Sequence, residues 1–527
     1  MNSPSDLPTL RSDGSATRSR LTLHDEYTVV TVTDLLSKLA DVTDRGLYVD
    51  DEFVTWSEHL RRSAQRAAAV TDLLTDGRPP HVGVLMSNVA EFSYLIAAAA
   101  LGEFVVVGLN TTRRGAALAA DIATADCDLV LTCSDTRHLL ADVDVGARTI
   151  DVDSNEWPKL LAPQVDTPVK FPASADDDLL MLIFTSGTTG EPKAVRCTHR
   201  TFAASGTMLA ERFDIGPTDN IYLSMPMFHS NATIAGWSVA VAGAASITLR
   251  RRFPASAFLP DVRRYGITYA NYVGKPLNYI LATRENPDDA ENPLRIVYGN
   301  EASERDRRRF AARFGCSVID GFGSTEGGVA ITRTPDTPDD ALGPLRSPTA
   351  IVDPETGDPT PPGEIGEIVN TSGPGLFSGY YCDDAATAER MRGGVYHTGD
   401  LGWVDDSGYI HFAGRLGEWM RVDGENLGAG PIERILLRNS HIQQAAVYGV
   451  PVEIGDEIEA VLVAPTLAPS EFADFLAAQS DLSPKQWPHR VRIVDELPET
   501  ATFKTLKRTL READSPATWT RHGRTYA

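Results

Sequence analysis

A short stretch rich in glycine and hydroxyl side chains is well suited to bind phosphate. It consists of Thr185, Ser186, Gly187, Thr188, Thr189 and Gly190, and Lys193 follows shortly after. Backbone N–H groups in such a loop can turn inward and form a concave nest of donors for the oxygens of a phosphate chain. The residues before it, Leu179-Leu-Met-Leu-Ile-Phe184, are continuously apolar, which predicts a buried strand.

The loop differs from the P-loop motif, in which lysine comes directly after the second glycine. Here Glu191 and Pro192 intervene, and the residues after Lys193 alternate like a strand rather than opening a helix. We therefore predict a phosphate loop between two strands. Alone, such a stretch is more often an ordinary solvated turn, so the interpretation depends on further segments.

Further segments follow in a fixed order along the chain. They are Asp320-Gly-Phe-Gly-Ser-Thr-Glu-Gly327, Tyr396-His-Thr-Gly-Asp400, Gly414-Arg415, Gly424-Glu-Asn426 and Phe503-Lys504. Together with the loop they resemble the adenylate-forming superfamily of acyl-CoA synthetases, luciferases and peptide-synthetase adenylation domains. The resemblance covers nearly the whole chain, from residue 50 to residue 510. It extends to fatty-acid-transport-protein-type synthetases and actinobacterial fatty-acid–CoA ligases through Arg250-Arg-Arg-Phe-Pro-Ala-Ser-Ala-Phe258 and Phe503.

The resemblance implies that a carboxylic acid attacks the α-phosphate of ATP, and that coenzyme A then takes the acyl group from the adenylate. The attack joins two anions, so the site must neutralise charge and hold the reactants in line. The resemblance assigns pyrophosphate to the loop and Lys193, Mg²⁺ to Glu326, and the bridging positive charge to Lys504. It makes Thr185, His229, Glu326 and Lys504 the candidate catalytic residues.

The resemblance also implies a set of nucleotide-binding residues. Phe322 offers a flat face to adenine, Thr325 hydrogen-bonds the α-phosphate, and Asp400 accepts the ribose hydroxyls with support from Arg415. The remaining members of the set are Gly299, Asn300, Glu301, Gly321, Gly323, Ser324, Phe412, Gly424 and Glu425.

The identity of the acid is suggested by Pro226-Met-Phe-His229. Amino-acid-activating relatives usually have Asp where His229 stands, and an imidazole cannot supply the negative charge that pairs with a substrate ammonium. Trp237, Tyr272 and Gly274 are candidates to line an apolar channel, although plain core packing explains each of them equally well. By analogy we expect a medium-to-very-long-chain fatty acid or a steroid-like carboxylic acid.

Composition excludes several other classes of protein. The net charge of −23 and the pI near 4.9 argue against a nucleic-acid partner. Five scattered cysteines without a Cys-x-x-Cys pair indicate reduced thiols in the cytoplasm and no structural zinc. Residues 232–249 carry no charge, but glycine and serine interrupt them, and we predict a buried helix followed by a core strand rather than a membrane span.

The length of the chain and its alternating helix and strand patterns predict an α/β protein with more than one domain. We expect a disordered tail at 1–25, a large N-terminal domain at 26–415 and a small mobile α+β domain at 416–527. The large domain should contain two layered α/β subdomains and a small β-barrel-like subdomain at about 341–415. The superfamily places a hinge residue at Gly417, and glycine suits a pivot because it tolerates large changes in φ and ψ.

Other functions stay open from the sequence alone. An acyl-AMP ligase that delivers its product to a carrier protein shares every ATP residue, but no extra segment that blocks domain rotation is evident between 340 and 415. A membrane-associated fatty-acid uptake protein could attach peripherally through residues 232–249 or through the basic residues 250–252. The complete set of candidate residues disfavours a binding module without activity. A homodimer is a further open alternative.

Overall fold

The fold is described by a computed structural model of the chain. It describes residues 30–141, 143–186, 192–416, 419–422, 425–452, 455–499, 505–513 and 515–527, with the backbone alone at Ser186, Trp419, Glu425 and Asn426. The predicted tail at 1–25 and the predicted hinge at Gly417 lie outside the described residues.

Up to residue 332, the described part of the chain alternates strands and helices, as its sequence pattern predicts. The strands, in chain order, are β1 (Gly46–Val49), β2 (Glu52–Thr55), β3 (His81–Leu85), β4 (Val105–Gly108), β5 (Leu129–Thr132), β6 (Arg148–Asp151), β7 (Leu179–Ser186), β8 (Pro192–Thr198), β9 (Asn220–Leu223), β10 (Ser246–Leu249), β11 (Tyr269–Val273), β12 (Ile296–Asn300), β13 (Ser317–Gly323) and β14 (Ala330–Thr332). The α-helices are α1 (Val32–Ser37), α2 (Trp56–Thr71), α3 (Ala90–Gly102), α4 (Gly115–Thr124), α5 (Glu156–Leu161), α6 (His199–Phe213), α7 (Ser230–Ala232), α8 (Ser238–Gly243), α9 (Phe258–Tyr265), α10 (Pro276–Leu281) and α11 (Glu304–Phe314).

These strands form two mostly parallel sheets. The first has six strands in the order β6-β5-β3-β4-β7-β8, and the second has eight in the order β14-β13-β12-β11-β9-β10-β1-β2. The central strands β3, β4, β5 and β7 are buried apolar runs, which is typical of parallel strands covered by helices on both faces. The prediction of two layered α/β subdomains is therefore confirmed.

The apolar stretch at 232–249 folds inside this domain. Helix α7, a π-helical turn at Thr233–Trp237 and α8 follow one another, and β10 comes next in the centre of the second sheet. The predicted helix and core strand are confirmed. None of the helices within the described residues has the length and apolar character that crossing a membrane requires.

A smaller, antiparallel sheet follows. Its strands are β15 (Gly343–Pro344), β16 (Thr349–Val352), β17 (Gly366–Asn370), β18 (Tyr396–Val404) and β19 (Tyr409–Arg415), and α12 covers Asp384–Arg390. The strand order is β15-β19-β18-β17-β16, so the first and last of these strands form the two edges of an open sheet. The β subdomain predicted at about 341–415 corresponds to this sheet.

The C-terminal part has its own hydrophobic core, centred on Ile432, Leu436, Phe472 and Leu476. Its elements are β20 (Trp419–Val422), β21 (Glu425–Gly428), α13 (Ala429–Leu436), β22 (Gln444–Pro451), β23 (Asp456–Val463), α14 (Pro469–Ala477), β24 (Arg490–Ile493), α15 (Lys507–Glu512), β25 (Trp519–His522) and β26 (Thr525–Tyr526). β20 and β21 pair as a hairpin, and β22 to β26 form a five-stranded sheet. This arrangement is the α+β organisation predicted for the region.

Candidate active site

The predicted phosphate loop connects two antiparallel strands, β7 and β8. Thr185 pairs with Lys193 across this hairpin, so the residues at the two ends of the loop lie side by side. The loop's own Gly187, Thr188, Thr189 and Gly190 lie outside the described residues. The strands that hold the loop are thus confirmed, and the role of its residues in binding phosphate stays a prediction.

A buried carboxylate and Lys193 both contact Tyr380. Glu326 is only 8% exposed, and the Tyr380 hydroxyl donates a hydrogen bond to its Oε1 at 2.9 Å. The Lys193 Nζ lies 5.2 Å from the centre of the Tyr380 ring, within the range of a cation–π contact. Arg390 Nε donates to the Tyr380 hydroxyl at 3.4 Å. Tyr380 therefore links the predicted pyrophosphate lysine to the predicted metal ligand.

Tyr380 was not identified from the sequence. The segment that carries it lies along the edge of β8, because Arg196 N–H donates to the Gly379 carbonyl at 3.0 Å and Tyr381 N–H donates to the Ala194 carbonyl at 2.8 Å. Burial, and then the Glu326 carboxylate, raise the pKa of Tyr380, so its hydroxyl keeps its proton and acts as a donor. The same strand edge thus positions both Lys193 and Tyr380.

Thr325, the residue next to Glu326, lies close to the residues predicted to bind the acid. We call this region, with His229, Tyr272 and Gly274, the acid side of the site. The hydroxyls of Thr325 and Ser230 hydrogen-bond each other at 2.8 Å. His229 precedes Ser230 as the N-cap residue of α7, and its ring lies 4.5 Å from that of Phe228, centre to centre. The π-helical turn follows α7, and such turns often occur at functional sites. Thr325 thus contacts the residue that follows His229, and the roles of His229 and Thr325 toward the substrates stay predictions.

Tyr272 forms part of a buried polar group behind this region. Its hydroxyl donates a hydrogen bond to Asp320, and Arg307 Nε lies 3.4 Å from the same carboxylate. Burial raises the pKa of Asp320 to about 6 despite the nearby Arg307 guanidinium. A Cβ at Gly299 would lie 2.1 Å from the Tyr272 carbonyl oxygen, so only glycine fits at that position of β12. Gly274 follows β11 with a φ of +56°.

Trp237 has a different environment from the other acid-side candidates. It is 1% exposed, and its indole N–H donates to Ser93 Oγ at 3.0 Å. His59 Nε2 lies 2.8 Å from the same hydroxyl. The side chain is therefore part of the core against α2 and α3, which is the packing role that the sequence also allowed.

The adenine and ribose candidates lie where the large sheet meets the antiparallel sheet. The rings of Phe322 on β13 and Phe412 on β19 are 6.2 Å apart, centre to centre. Asp400 and Arg415 are direct partners on β18 and β19, and Arg415 Nε donates to Asp400 Oδ1 at 3.0 Å. Both pairs lie on or beside β19, so this strand joins the predicted adenine surface to the predicted ribose pair. Gly321, Gly323, Ser324 and the segment 299–301 lie on β12, on β13 or directly after them.

The predicted catalytic lysine, Lys504, lies outside the described residues, as does Gly424; Glu425 is described by its backbone, on β21. The residues that flank Lys504 are described. Glu499 and Thr505 form an antiparallel bridge, and the Glu499 carboxylate makes an ion pair with Lys275, the residue after Gly274. Glu499, five residues before Lys504, thus contacts the large domain beside Gly274.

The family profile of AMP-binding enzymes matches residues 39–381, and that of the AMP-binding enzyme C-terminal domain matches residues 431–504. The chain is 57% identical over 487 residues to the medium/long-chain-fatty-acid–CoA ligase FadD17 of Mycobacterium tuberculosis, covering 91% of this chain and 96% of the relative. It is 44% identical over 501 residues to the steroid-22-oyl-CoA synthetase of Rhodococcus jostii, covering 91% and 90%.

Solved structures show the same fold. ATP-bound MatB from Rhodopseudomonas palustris superposes with a TM-score of 0.79 at 25% identity, covering 92% of this chain and 99% of that one. The anthranilate CoA ligase AuaEII in complex with anthranoyl-AMP gives a TM-score of 0.81 at 21% identity, covering 92% and 97%. With a profile that matches more than half of its length and relatives this similar over nine-tenths of it, the chain belongs to the AMP-binding enzyme family.

Proposed function

We propose that this protein is an AMP-forming acid–CoA ligase that activates a medium- or long-chain fatty acid, or a steroid-like carboxylic acid. ATP and the acid form an acyl-adenylate, and the thiol of coenzyme A then displaces AMP. The relatives named for these two acid classes align over nine-tenths of this chain, which supports both as candidates.

The observation that carries this proposal is a continuous series of contacts through one region. Lys193, Tyr380 and Glu326 are in contact, and the neighbouring Thr325 bonds to Ser230 beside His229. These contacts support a site in which groups suited to phosphate lie next to groups suited to a carboxylic acid. The attack on the α-phosphate needs these two kinds of group side by side.

In the first half-reaction, the formation of the acyl-adenylate, different residues stabilise different charges. Lys193 is placed to neutralise the departing pyrophosphate, and the Thr325 hydroxyl can donate to the α-phosphate. Asp400 offers carboxylate oxygens to the ribose hydroxyls, and Arg415 holds that carboxylate in place at 3.0 Å. Lys504 would bring positive charge to the oxygens that approach each other.

Glu326 fits the role of a Mg²⁺ ligand. Its carboxylate is buried and accepts a hydrogen bond from a neutral phenol, and Mg²⁺ prefers one or two carboxylates together with phosphate oxygens. A bound Mg²⁺ would supply positive charge to the phosphates. The task of Tyr380 is to fix the orientation of the carboxylate.

A basic cleft on the acid side is a candidate site for the phosphates of coenzyme A. It has a volume of about 370 Å³, and its walls include Phe228, Arg114, Arg251 and Arg252. Asp135 offsets part of this charge, because it lies 3.2 Å from Arg251 and 3.7 Å from Arg252. Guanidinium groups bind phosphate well, and the Phe228 wall adjoins His229.

A panel of acids tests the proposed function. The purified protein is incubated with ATP, Mg²⁺ and one acid at a time, and pyrophosphate release and CoA-dependent AMP release are both measured. We expect activity with fatty acids of medium or long chain or with steroid carboxylic acids. Activity confined to amino acids or aryl acids would refute the choice of substrate. The absence of pyrophosphate release with every acid would refute adenylation itself.

The acceptor is tested in the same assay. Coenzyme A is compared with a phosphopantetheinyl carrier protein at equal concentration. Thioester formation on CoA supports the ligase, and transfer only to the carrier protein would favour the acyl-AMP ligase.

A further inference from the structure

Asp400 lies in an irregular part of β18. The pairing of β18 with β17 shifts between Glu367 and Val369, so residues 398–400 have only Ile368 opposite them. We call residues 398–400 the ribose bulge. Extra residues of this kind redirect side chains and are common beside active sites. The conformation of the ribose bulge therefore determines where the Asp400 carboxylate points.

Strand β17 holds the ribose bulge through side-chain hydrogen bonds. Gly399 N–H donates to Glu367 Oε1 at 2.8 Å, and Glu367 is only 1% exposed. The Thr398 hydroxyl donates to the Ile368 carbonyl at 2.6 Å and accepts a hydrogen bond from Asp400 N–H at 3.0 Å. These contacts use the N–H groups of the bulge, and two carbonyls beside them receive their hydrogen bonds from elsewhere.

The donor to these carbonyls is Arg390, the last residue of α12. Its Nη1 donates to the His397 carbonyl at 3.2 Å and to the Thr398 carbonyl at 2.5 Å. Gly399 allows this approach, because a Cβ there would lie 2.8 Å from the same Nη1. The φ of Gly399 is +71°, which also favours glycine. The guanidinium is thus packed directly against the ribose bulge.

The position of Arg390 is itself fixed by the other half of the site. Its Nε donates to the Tyr380 hydroxyl at 3.4 Å, and that hydroxyl donates to Glu326 at 2.9 Å. Helix α12 is tied to the same tyrosine, because Tyr380 N–H donates to Thr387 Oγ1 at 2.9 Å. Arg390 therefore connects the predicted metal ligand to the backbone that carries Asp400.

We propose that Arg390 is a positioning residue for ribose recognition, which holds the ribose bulge so that the Asp400 carboxylate meets the ribose hydroxyls of ATP. The inference rests on the proposed function and on the role predicted for Asp400. Arg390 acts on the nucleotide through Asp400 alone. Arginine suits this task because its rigid guanidinium presents several donors at once, here to two carbonyls and a phenol.

The test compares two nucleotides that differ only in the ribose hydroxyls. Dissociation constants of ATP and 2′,3′-dideoxy-ATP are measured by calorimetry with Mg²⁺ and without any acid. Arg390→Met should raise the dissociation constant of ATP by about 5- to 30-fold, a part of the loss expected when Asp400 itself is removed. The dissociation constant of 2′,3′-dideoxy-ATP should not change, which also shows that the nucleotide site is folded. Arg390→Lys keeps the charge without the rigid fork and should show the same selective loss.

A double-mutant cycle tests whether Arg390 acts through Asp400. Adding Arg390→Met to Asp400→Ala should raise the dissociation constant of ATP by less than a further factor of about two. Arg521→Met is the matched control. The Arg521 guanidinium also donates to two backbone carbonyls, those of Gly523 at 2.8 Å and Trp487 at 3.3 Å, within the C-terminal part of the chain. This control should bind both nucleotides as wild type does.

Three results would overturn the proposal. They are equal losses of affinity for the two nucleotides in Arg390→Met, fully multiplicative losses in the double variant, and a wild type that binds the two nucleotides equally well. Because no acid is present, the outcome is separate from that of the acid panel. A wild type that activates no acid would refute the proposed function, and a selective loss of ATP binding in Arg390→Met would still support the role of Arg390.

Discussion

Replacing Tyr380 by phenylalanine tests the electrostatic core of the site most directly. The change removes one hydroxyl and keeps the aromatic ring, whose centre lies 5.2 Å from the Lys193 Nζ. It also removes the hydrogen bond of 2.9 Å that the Tyr380 hydroxyl donates to the buried Glu326 carboxylate. Hydrogen bonds to charged groups contribute about 1.5–3 kcal/mol. Because 1.36 kcal/mol corresponds to a tenfold change in rate, we expect pyrophosphate exchange to fall by about 10- to 150-fold.

The effect should be independent of pH in the neutral range. Since burial and the Glu326 carboxylate raise the pKa of Tyr380, the hydroxyl stays protonated throughout this range. The ratio of the wild-type rate to the Tyr380→Phe rate should therefore stay constant between about pH 6.5 and pH 9. The measurement is acid-dependent ATP–pyrophosphate exchange in the absence of CoA.

Tyr222→Phe is the matched control. Tyr222 is also buried, and its hydroxyl also donates to a carboxylate, Asp261, at 2.8 Å. The control should lose a similar amount of stability and keep its exchange rate. A double-mutant cycle adds Glu326→Gln, which alone should lower the rate by about 10²- to 10³-fold. If Tyr380 acts through Glu326, adding Tyr380→Phe to Glu326→Gln should lower the exchange rate by less than a further factor of about three. Fully multiplicative losses, or a Tyr380→Phe rate above half of wild type, would refute this reasoning.

Three further predictions concern other parts of the site. Asp400→Ala should raise the dissociation constant of ATP by about 10- to 150-fold in calorimetry, because it removes a charged acceptor from the ribose hydroxyls. Asp320→Asn should gain stability relative to wild type as the pH rises from 4 to 7, by at most about 3 kcal/mol in denaturant unfolding. The sign follows because burial raises the pKa of Asp320 to about 6, so the folded wild type holds its proton more tightly than the unfolded chain. Arg252→Gln should raise the KM for CoA several-fold in the thioester assay and leave pyrophosphate exchange unchanged.

Each of these predictions has a specific control. 2′,3′-Dideoxy-ATP should bind equally to wild type and Asp400→Ala, and a remaining difference would contradict the ribose assignment. The Asp320 side chain is one-fifth exposed, so the gain in stability predicted for Asp320→Asn is an upper bound. Parallel pH profiles of stability for wild type and Asp320→Asn would contradict the titration of Asp320. Arg263→Gln, which removes another arginine ion pair, should leave the KM for CoA at its wild-type value.

Much of the fold follows from local pattern. The apolar run at 179–184 predicts a buried strand, and β7 is that strand. The strand after Lys193 was also predicted from the sequence, and β8 is that strand. Ordered motifs predicted that Asp400 and Arg415 act on the same ribose. The structure places the two residues opposite each other on adjacent strands, and their role toward the ribose stays a prediction. In each case the signal lies within a few consecutive residues or in a motif of fixed spacing.

The parts that the sequence did not predict depend on contacts between distant segments. Tyr380 reaches Glu326 only because its segment adds to the edge of β8, and no local pattern encodes such pairing. Trp237 was predicted as a candidate for the acid channel, but an apolar stretch does not reveal which of its faces meets the core. The structure buries this side chain in the core, where its indole N–H donates a hydrogen bond to Ser93. The Lys275–Glu499 pair joins two domains, and each residue alone is typical of a solvated surface.

The contacts among the predicted nucleotide-binding residues lie outside the C-terminal part of the chain. Among the described residues, Lys193, Glu326 and Tyr380 depend on β8 and its edge, and Asp400 with Arg415 depends on β18 and β19. All of these elements precede the C-terminal part of the chain. A substitution of Lys504 therefore leaves every one of these contacts in place. We expect Lys504→Ala to lose acid-dependent pyrophosphate exchange and to keep its affinity for ATP in calorimetry, because Lys504 is predicted to supply positive charge only as the two anions meet.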